Sequence, residues 1–308
     1  ETFAKKSLKN KHELIQLIEF SKSKLLDSRN LRVKPLRDEK IIAAWNGLML
    51  AAFAEAGSVL KNPTYITIAE TNASFLLDNL CVNGRILRSF KDGKAHLNGY
   101  LEDYAFLISG LILLHEATSN DRWILEAIRL GDSMLDLFWD VKTGQLYDTG
   151  KDHDKLIFRP RDISDNAIPS GNSMATDVLL KLALITGNSA LKTVATTTLK
   201  CSIDLMSRFP SGAGHWLCTL DFYLSATKEI VIRGKRGDAN TESLYDEVYR
   251  NFIPNRIVLG TENPDAELSA LPLIQQSIGS NVQPVAYVCQ NYTCKFPSHH
   301  PDTMREQL

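Results

Sequence analysis

Three times within its first 206 residues, this chain pairs a helical segment apolar on nearly every face with one apolar along a single stripe. Residues 39–60 distribute Ile41, Ile42, Trp45, Leu48, Met49, Leu50 and Phe53 around the whole helix. In residues 63–80, by contrast, Tyr65, Ile68, Ala69 and Leu76 fall on one side. A helix apolar all round must be buried on every side, and an amphipathic one can cover it. Residues 101–117 and 121–138 repeat the pair, and 171–186 with 189–206 repeat it again, with the apolar residues at helical spacing.

The repeat can be counted. Asn46, Tyr104 and Asn172 sit near the starts of the buried segments, 58 and 68 residues apart, and Asn62, Asn120 and Asn188 follow each of them by 16 residues. Hairpins of this design predict a double-layered helical ring with the buried helices inside. An open solenoid would expose one long flank, and the inner helices are too apolar for that. Short strand-like pieces lie between the pairs, at 84–90 and 145–158, with Lys142-Thr-Gly144 as a turn.

Near Lys228 the pattern changes. Strands are expected at 228–234, 255–261 and 284–290, and helices at 241–252 and 265–278. This β-α-β-α-β order predicts a small sheet of parallel strands. The expected division is therefore a helical part over 1–227 and a small α/β part over 228–308.

Composition narrows the function classes. With 44% hydrophobic residues among 308, the chain can bury a sizeable core. Thirty-five basic and thirty-six acidic residues leave a net charge of −1, so no global field favours nucleic acid. No stretch reaches the roughly 20 apolar residues of a membrane span. Five cysteines, Cys81, Cys201, Cys218, Cys289 and Cys294, are too scattered for a disulfide scaffold or a zinc site. A reduced, cytoplasmic setting is the default expectation, although Cys289 and Cys294 are near enough in sequence to form a bridge. Glu1 stands where an initiator methionine would, and no leader-like segment follows, which fits a processed or truncated chain.

Polar residues cluster at the entries of the buried helices: Arg32, Asp38 and Trp45-Asn46; Glu102-Asp103-Tyr104; and Asp165, Ser170 and Asn172. Inner helices of a ring run parallel, so these entries should meet at one mouth. Carboxylates, amides and aromatic rings around a concave site suit a polyhydroxylated ligand such as a sugar. Each residue also has a structural explanation. Glu102 and Asp103 complement a helix dipole by about 0.3–1 kcal/mol each, and Asp165 and Ser170 are natural caps. Caps alone would not require Trp45-Asn46 in an apolar helix, and this favours a site. His215, beside Trp216, is the histidine best placed for proton transfer. No His/Asp/Glu group has metal-ligand spacing, and neither a metal nor a cofactor is expected.

The run RxxPxxDxKxxxxWNGLM (Arg32 to Met49), LEDYAF (Leu101 to Phe106), DNAxPSGNS (Asp165 to Ser173) and AYVCQNYTC (Ala286 to Cys294) resembles the spermatogenesis-associated protein 20 family over essentially the whole chain. The resemblance implies a mainly α fold, a partial (α/α)6 toroid of six-hairpin glycosidase or N-acylglucosamine 2-epimerase type. About seven ring helices stand where twelve would be needed, so an incomplete ring is expected. It also implies an N-terminal thioredoxin-like domain in the parent chain as a partner, of which no CxxC segment occurs here. The related epimerases use a histidine pair, whereas His215 and His96 lie outside every motif.

The expected function is that of a carbohydrate-directed enzyme fragment, epimerase- or glycosidase-like. Asp103, Glu102, Asp165 and His215 are the candidate catalytic residues. Arg32, Asp38, Trp45, Asn46, Tyr104, Ser170 and Asn172 are the candidate binding residues. The alternative is a non-catalytic binding or redox-regulatory module. The two readings separate on whether two of these acids face one open cavity without being taken up by arginine or by helix capping.

Overall fold

The computed structural model describes residues 10–155, 157–262, 264, 266–277 and 284–308. The chain divides into two compact units, with the break between Glu39 and Lys40. In the first, helix α1 (Lys11–Asn30) starts at Asn10, whose side chain accepts the His12 N–H at 2.8 Å.

The second unit contains the three hairpins: α2 (Ala43–Val59) with α3 (Pro63–Leu80), α4 (Leu101–Thr118) with α5 (Asp121–Phe138), and α6 (Gly171–Thr186) with α7 (Ser189–Cys201). Helices α2, α4 and α6 pack side by side as an inner layer, and each is backed by its partner. The arrangement is an arc of an α/α toroid. The three asparagines of the repeat are the outer-helix caps. Asn62, Asn120 and Asn188 accept the N–H groups of Thr64, Arg122 and Ala190 at 3.0, 3.1 and 2.9 Å.

Close approach of the inner helices depends on glycine. A Cβ on Gly47 would stand 2.7 Å from the Leu107 nitrogen, and one on Gly110 would stand 2.9 Å from the Gly47 oxygen. The opposite side of α2 is bare, with Trp45, Met49 and Val59 exposed.

Several expected boundaries move. Ile41 and Ile42 leave the helix to form β1 (Ile41–Ile42), paired antiparallel with β3 (Arg85–Lys91). Strand β3 also pairs with β2 (Cys81–Val82) and β4 (Lys94–Asn98). The strand expected over 145–158 shrinks to β6 (Gln145–Leu146), paired with β5 (Trp139–Asp140), and the rest is loop where described. The last ring segment breaks at Ser202 before α8 (Ile203–Arg208), and α9 (Gly214–Leu224) follows.

The C-terminal sheet is corrected in one respect. Strand β7 (Lys228–Arg233) runs parallel to β8 (Arg256–Thr261), with α10 (Ala239–Arg250) as the crossover. Strand β9 (Val285–Gln290) is antiparallel to β7, not parallel as expected. The chain therefore enters β9 from the end of the sheet at which it leaves β8. In place of one long helix over 265–278 stand α11 (Ala266–Ser269) and α12 (Pro272–Gln276) among the described residues. Strand β10 (Thr293–Cys294) completes the order β10-β9-β7-β8, and α13 (Pro301–Arg305) follows. One sheet face (Val231, Ile257, Leu259, Val285, Tyr287) joins the core of the helical arc. The other packs Ile230, Ile232 and Val258 against Leu244, Val248 and Met304. The boundary expected at 227/228 thus falls inside one compact unit. Among the described residues, no helix is long and apolar enough to cross a membrane.

Candidate functional site

The N-termini of the inner helices meet, and carboxylates tie helix starts together. Asp103, fully buried in the first turn of α4, accepts the Tyr100 N–H at 2.8 Å on Oδ2 and the Ala44 N–H of α2 at 2.9 Å on Oδ1. Arg88 of β3 donates to both oxygens at 3.1–3.2 Å. Burial pushes the Asp103 pKa up to about 6 despite Arg88 and the Tyr100 N–H. Asp165 has the same role elsewhere. Its Oδ1 accepts from the Ser170 N–H (2.8 Å) and the Ser173 hydroxyl (2.6 Å), and its Oδ2 from the N–H groups of His215 (2.8 Å) and Trp216 (3.2 Å). It joins the N-termini of α6 and α9. Two of the three acids expected to be catalytic, Asp103 and Asp165, are therefore engaged in capping.

Other expected residues are also placed by packing. The Tyr104 hydroxyl, fully buried, accepts from the Ile86 N–H (2.9 Å) and Arg85 (3.1 Å). Asn46 turns toward α3: its Nδ2 donates to the Ile42 carbonyl and its Oδ1 accepts from Asn72, both at 2.9 Å. Trp45 projects from α2 and is 61% exposed. His215 leans on α6, with Nε2 4.0 Å from Asp177 Oδ2, and burial lowers its pKa. Arg32 and Asp38 belong to the first unit.

An open cavity of about 390 Å3 does form beside these caps, and its lining includes Arg88, Tyr100, Glu102, Asp148, Asp162 and Asn166 together with Ile168, Pro169 and Ser170. Glu102 and Ser170 are the expected residues that reach it. Glu102 is ion-paired to Arg88, and the Ser170 hydroxyl caps α6 by accepting the Ser173 N–H at 3.1 Å. The guanidinium of Arg88 also lies over the Tyr100 ring, 5.1 Å from its centroid.

Asp148 is the residue the sequence did not single out. It is half-buried in the loop after β6, where its carbonyl accepts the Leu101 N–H at 2.9 Å. Its Oδ2 accepts the Asp162 N–H at 2.7 Å and its Oδ1 the Asn172 amide at 3.1 Å. Burial, reinforced by the charges of Asp162 and Glu102, raises its pKa to about 6. Asn172, fully buried on α6, thus reaches the site by holding Asp148. Its Oδ1 has no hydrogen-bond partner among the described residues.

A larger cavity, about 510 Å3, lies at the C-terminal ends of α2 and α4. Its buried charges neutralise one another, with Arg256 donating to Glu116 at 2.9–3.0 Å. Among the described residues, no group of three or more His, Cys, Asp or Glu side chains is placed to hold a metal ion.

No protein-family model matches the chain. It is 34% identical over 298 residues to human spermatogenesis-associated protein 20, covering 92% of this chain and 38% of that protein. Against the protein of the same name from Rattus norvegicus it is 32% identical over 301 residues, with the same two coverages of 92% and 38%. The chain thus spans about two-fifths of the length of these curated relatives. Among solved structures, it resembles cellobiose 2-epimerase from Spirochaeta thermophila at 17% identity and a TM-score of 0.45, covering 53% of this chain and 43% of that one. It also resembles the unsaturated glucuronyl hydrolase of Bacillus sp. GL1 at 20% identity and a TM-score of 0.43, covering 55% and 48%.

Proposed function

The chain belongs to the spermatogenesis-associated protein 20 family, and we propose that its arc of toroid binds a carbohydrate in the cavity at the inner-helix N-termini and acts on it as a hydrolase. One observation carries this reading: Asp148, with its pKa raised to about 6, lines the same open cavity as a second carboxylate, Glu102. Two carboxyl groups in different environments are what acid-assisted glycosidic cleavage needs. Asp148 gives its proton to the leaving glycosidic oxygen. Glu102, oriented by Arg88, directs the water that attacks the anomeric carbon. Asn172 and the Asp162 N–H hold the Asp148 carboxyl in place. Ile168 and Pro169 offer apolar surface to the C–H side of a sugar ring, and Asn166 and Asp162 offer partners for its hydroxyls. An epimerase is less well supported, because no histidine among the described residues lines this cavity.

Incubation with defined α- and β-linked disaccharides of glucose, mannose, N-acetylglucosamine and glucuronic acid, read by anion-exchange chromatography, tests the reading. Release of a monosaccharide by the wild type and not by Asp148→Asn supports it. No release from any of them, with no saccharide binding by calorimetry, sinks it. A second reading, a binding module without turnover, is favoured by the Glu102–Arg88 ion pair. Binding without release would select it.

A further inference from the structure

The β9–β10 hairpin holds a chemical group that the cavity does not use. Cys289 and Cys294 face each other in the antiparallel register and are joined by a disulfide, with their Cα atoms 3.8 Å apart. The turn between the strands is Asn291-Tyr292, both at positive φ (50° and 58°), as a two-residue hairpin requires. The hairpin is anchored independently of the sulfurs. The Tyr292 N–H donates to Glu229 Oε2 and its hydroxyl to the Leu184 carbonyl of α6, both at 2.9 Å, and the Lys295 N–H donates to the Val288 carbonyl at 3.0 Å. Backbone pairing thus keeps the two cysteines opposite each other whether or not the sulfurs are bonded.

Access to the pair is one-sided. Cys289 is buried on β9, while Cys294 is half-buried on β10, the edge strand of the sheet. Glu229 is the register partner of Cys289 on β7. Directly paired residues share a sheet face with Cβ atoms about 4.5–5.5 Å apart. Glu229 is itself buried, and it lines a cavity of about 390 Å3 with Thr227, Asn291 and Tyr292. Burial raises its pKa, which favours the protonated form.

We propose that Cys289–Cys294 is a redox-active disulfide that exchanges with dithiols, with Glu229 as the proton donor to the departing Cys289 sulfur. A thiolate of the dithiol attacks Cys294 Sγ. The bond between Cys294 and the reductant forms as the Cys289–Cys294 bond breaks, and the electron pair leaves on Cys289, which takes the Glu229 proton. The second thiol of the reductant then attacks its own sulfur of the mixed disulfide and expels Cys294 as a thiolate. The protein gains two electrons and the dithiol leaves as a cyclic disulfide, while Glu229 recovers its proton from solvent.

The test uses the folded chain without denaturant. It is treated with dithiothreitol at a series of pH values, alkylated with N-ethylmaleimide and mapped by peptide mass, so that Cys289 and Cys294 are read separately from Cys81, Cys201 and Cys218. Both should be labelled while the protein still melts cooperatively, and oxidised dithiothreitol should abolish the labelling. The wild-type rate should fall below the rise set by the reductant's thiolate fraction as Glu229 loses its proton. Glu229→Gln, which keeps an acceptor for the Tyr292 N–H, should react about tenfold slower and follow the thiolate fraction throughout. Labelling only on unfolding would overturn the proposal, as would a variant with the wild-type rate and pH profile. Should the variant not fold, the wild-type profile decides alone: a curve without the bend overturns the role of Glu229.

Discussion

The carboxylate of Asp103 accepts the main-chain N–H of Ala44, 59 positions earlier, at 2.9 Å. One side chain thereby closes the N-terminus of its own helix and that of the neighbouring inner helix, in a place water does not reach. Replacing Asp103 with Ala leaves the Ala44 and Tyr100 N–H groups buried without an acceptor. The expected loss is about 2–4 kcal/mol, measured by denaturant unfolding, with saccharide binding by the remaining folded protein unchanged.

Asp103 also predicts the pH dependence of stability. Its folded pKa of about 6 lies above the ordinary aspartate value of 3.8, so between these values the native state holds more protons than the unfolded one. The contribution is fully present below about 4 and is lost as pH rises through about 6. Asp148, raised to about 6 as well, adds a slope of the same sign. Unfolding free energies measured across this range should fall with rising pH, and less steeply in Asp103→Asn. An equal slope in the variant would be evidence against the assignment.

Asp165→Ala should behave like Asp103→Ala. It removes the acceptor for three backbone N–H groups and one hydroxyl at the starts of α6 and α9. A loss of about 2–4 kcal/mol is expected. A variant with the wild-type melting temperature but no turnover would restore Asp165 to catalysis.

Gly47→Ala places a methyl 2.7 Å from the Leu107 nitrogen, against a backbone that cannot rotate away. The expected cost is at least about 1–3 kcal/mol, seen as a lower melting temperature. Gly93→Ala is the control for added bulk, because a Cβ there meets nothing within 4 Å, although its φ of +76° adds strain.

The helical arc was legible because burial writes itself into periodicity: an all-apolar segment followed by a striped one can only be an inner and an outer helix. The caps at Asn62, Asn120 and Asn188 were legible as a constant spacing. The direction of β9 was not, since the order of strands and helices along a chain does not say from which end of the sheet a strand is entered. At the site, the sequence located the helix entries, and the hydrogen bonds of Asp103 and Asp165 there are those of caps. Asp103 and Asp165 stand in conspicuous motifs because two helix starts depend on each. Asp148 stands in the Tyr147-Asp148-Thr149 run, read as strand; burial raises its pKa, and its carboxyl is held by Asn172 and the Asp162 N–H, which reach it from 24 and 14 residues away. No local pattern carries those contacts.

The measurement that bears most directly on the account is the pH dependence of disaccharide hydrolysis by the wild type, with Asp148→Asn and Asp103→Asn in parallel. A general acid with a pKa of about 6 predicts that kcat/KM falls about tenfold per pH unit above that value. Asp148→Asn should lose this limb together with most of the rate, while Asp103→Asn should keep it. Loss of the limb in Asp103→Asn with full activity in Asp148→Asn would contradict the central claim and return Asp103 to the chemistry.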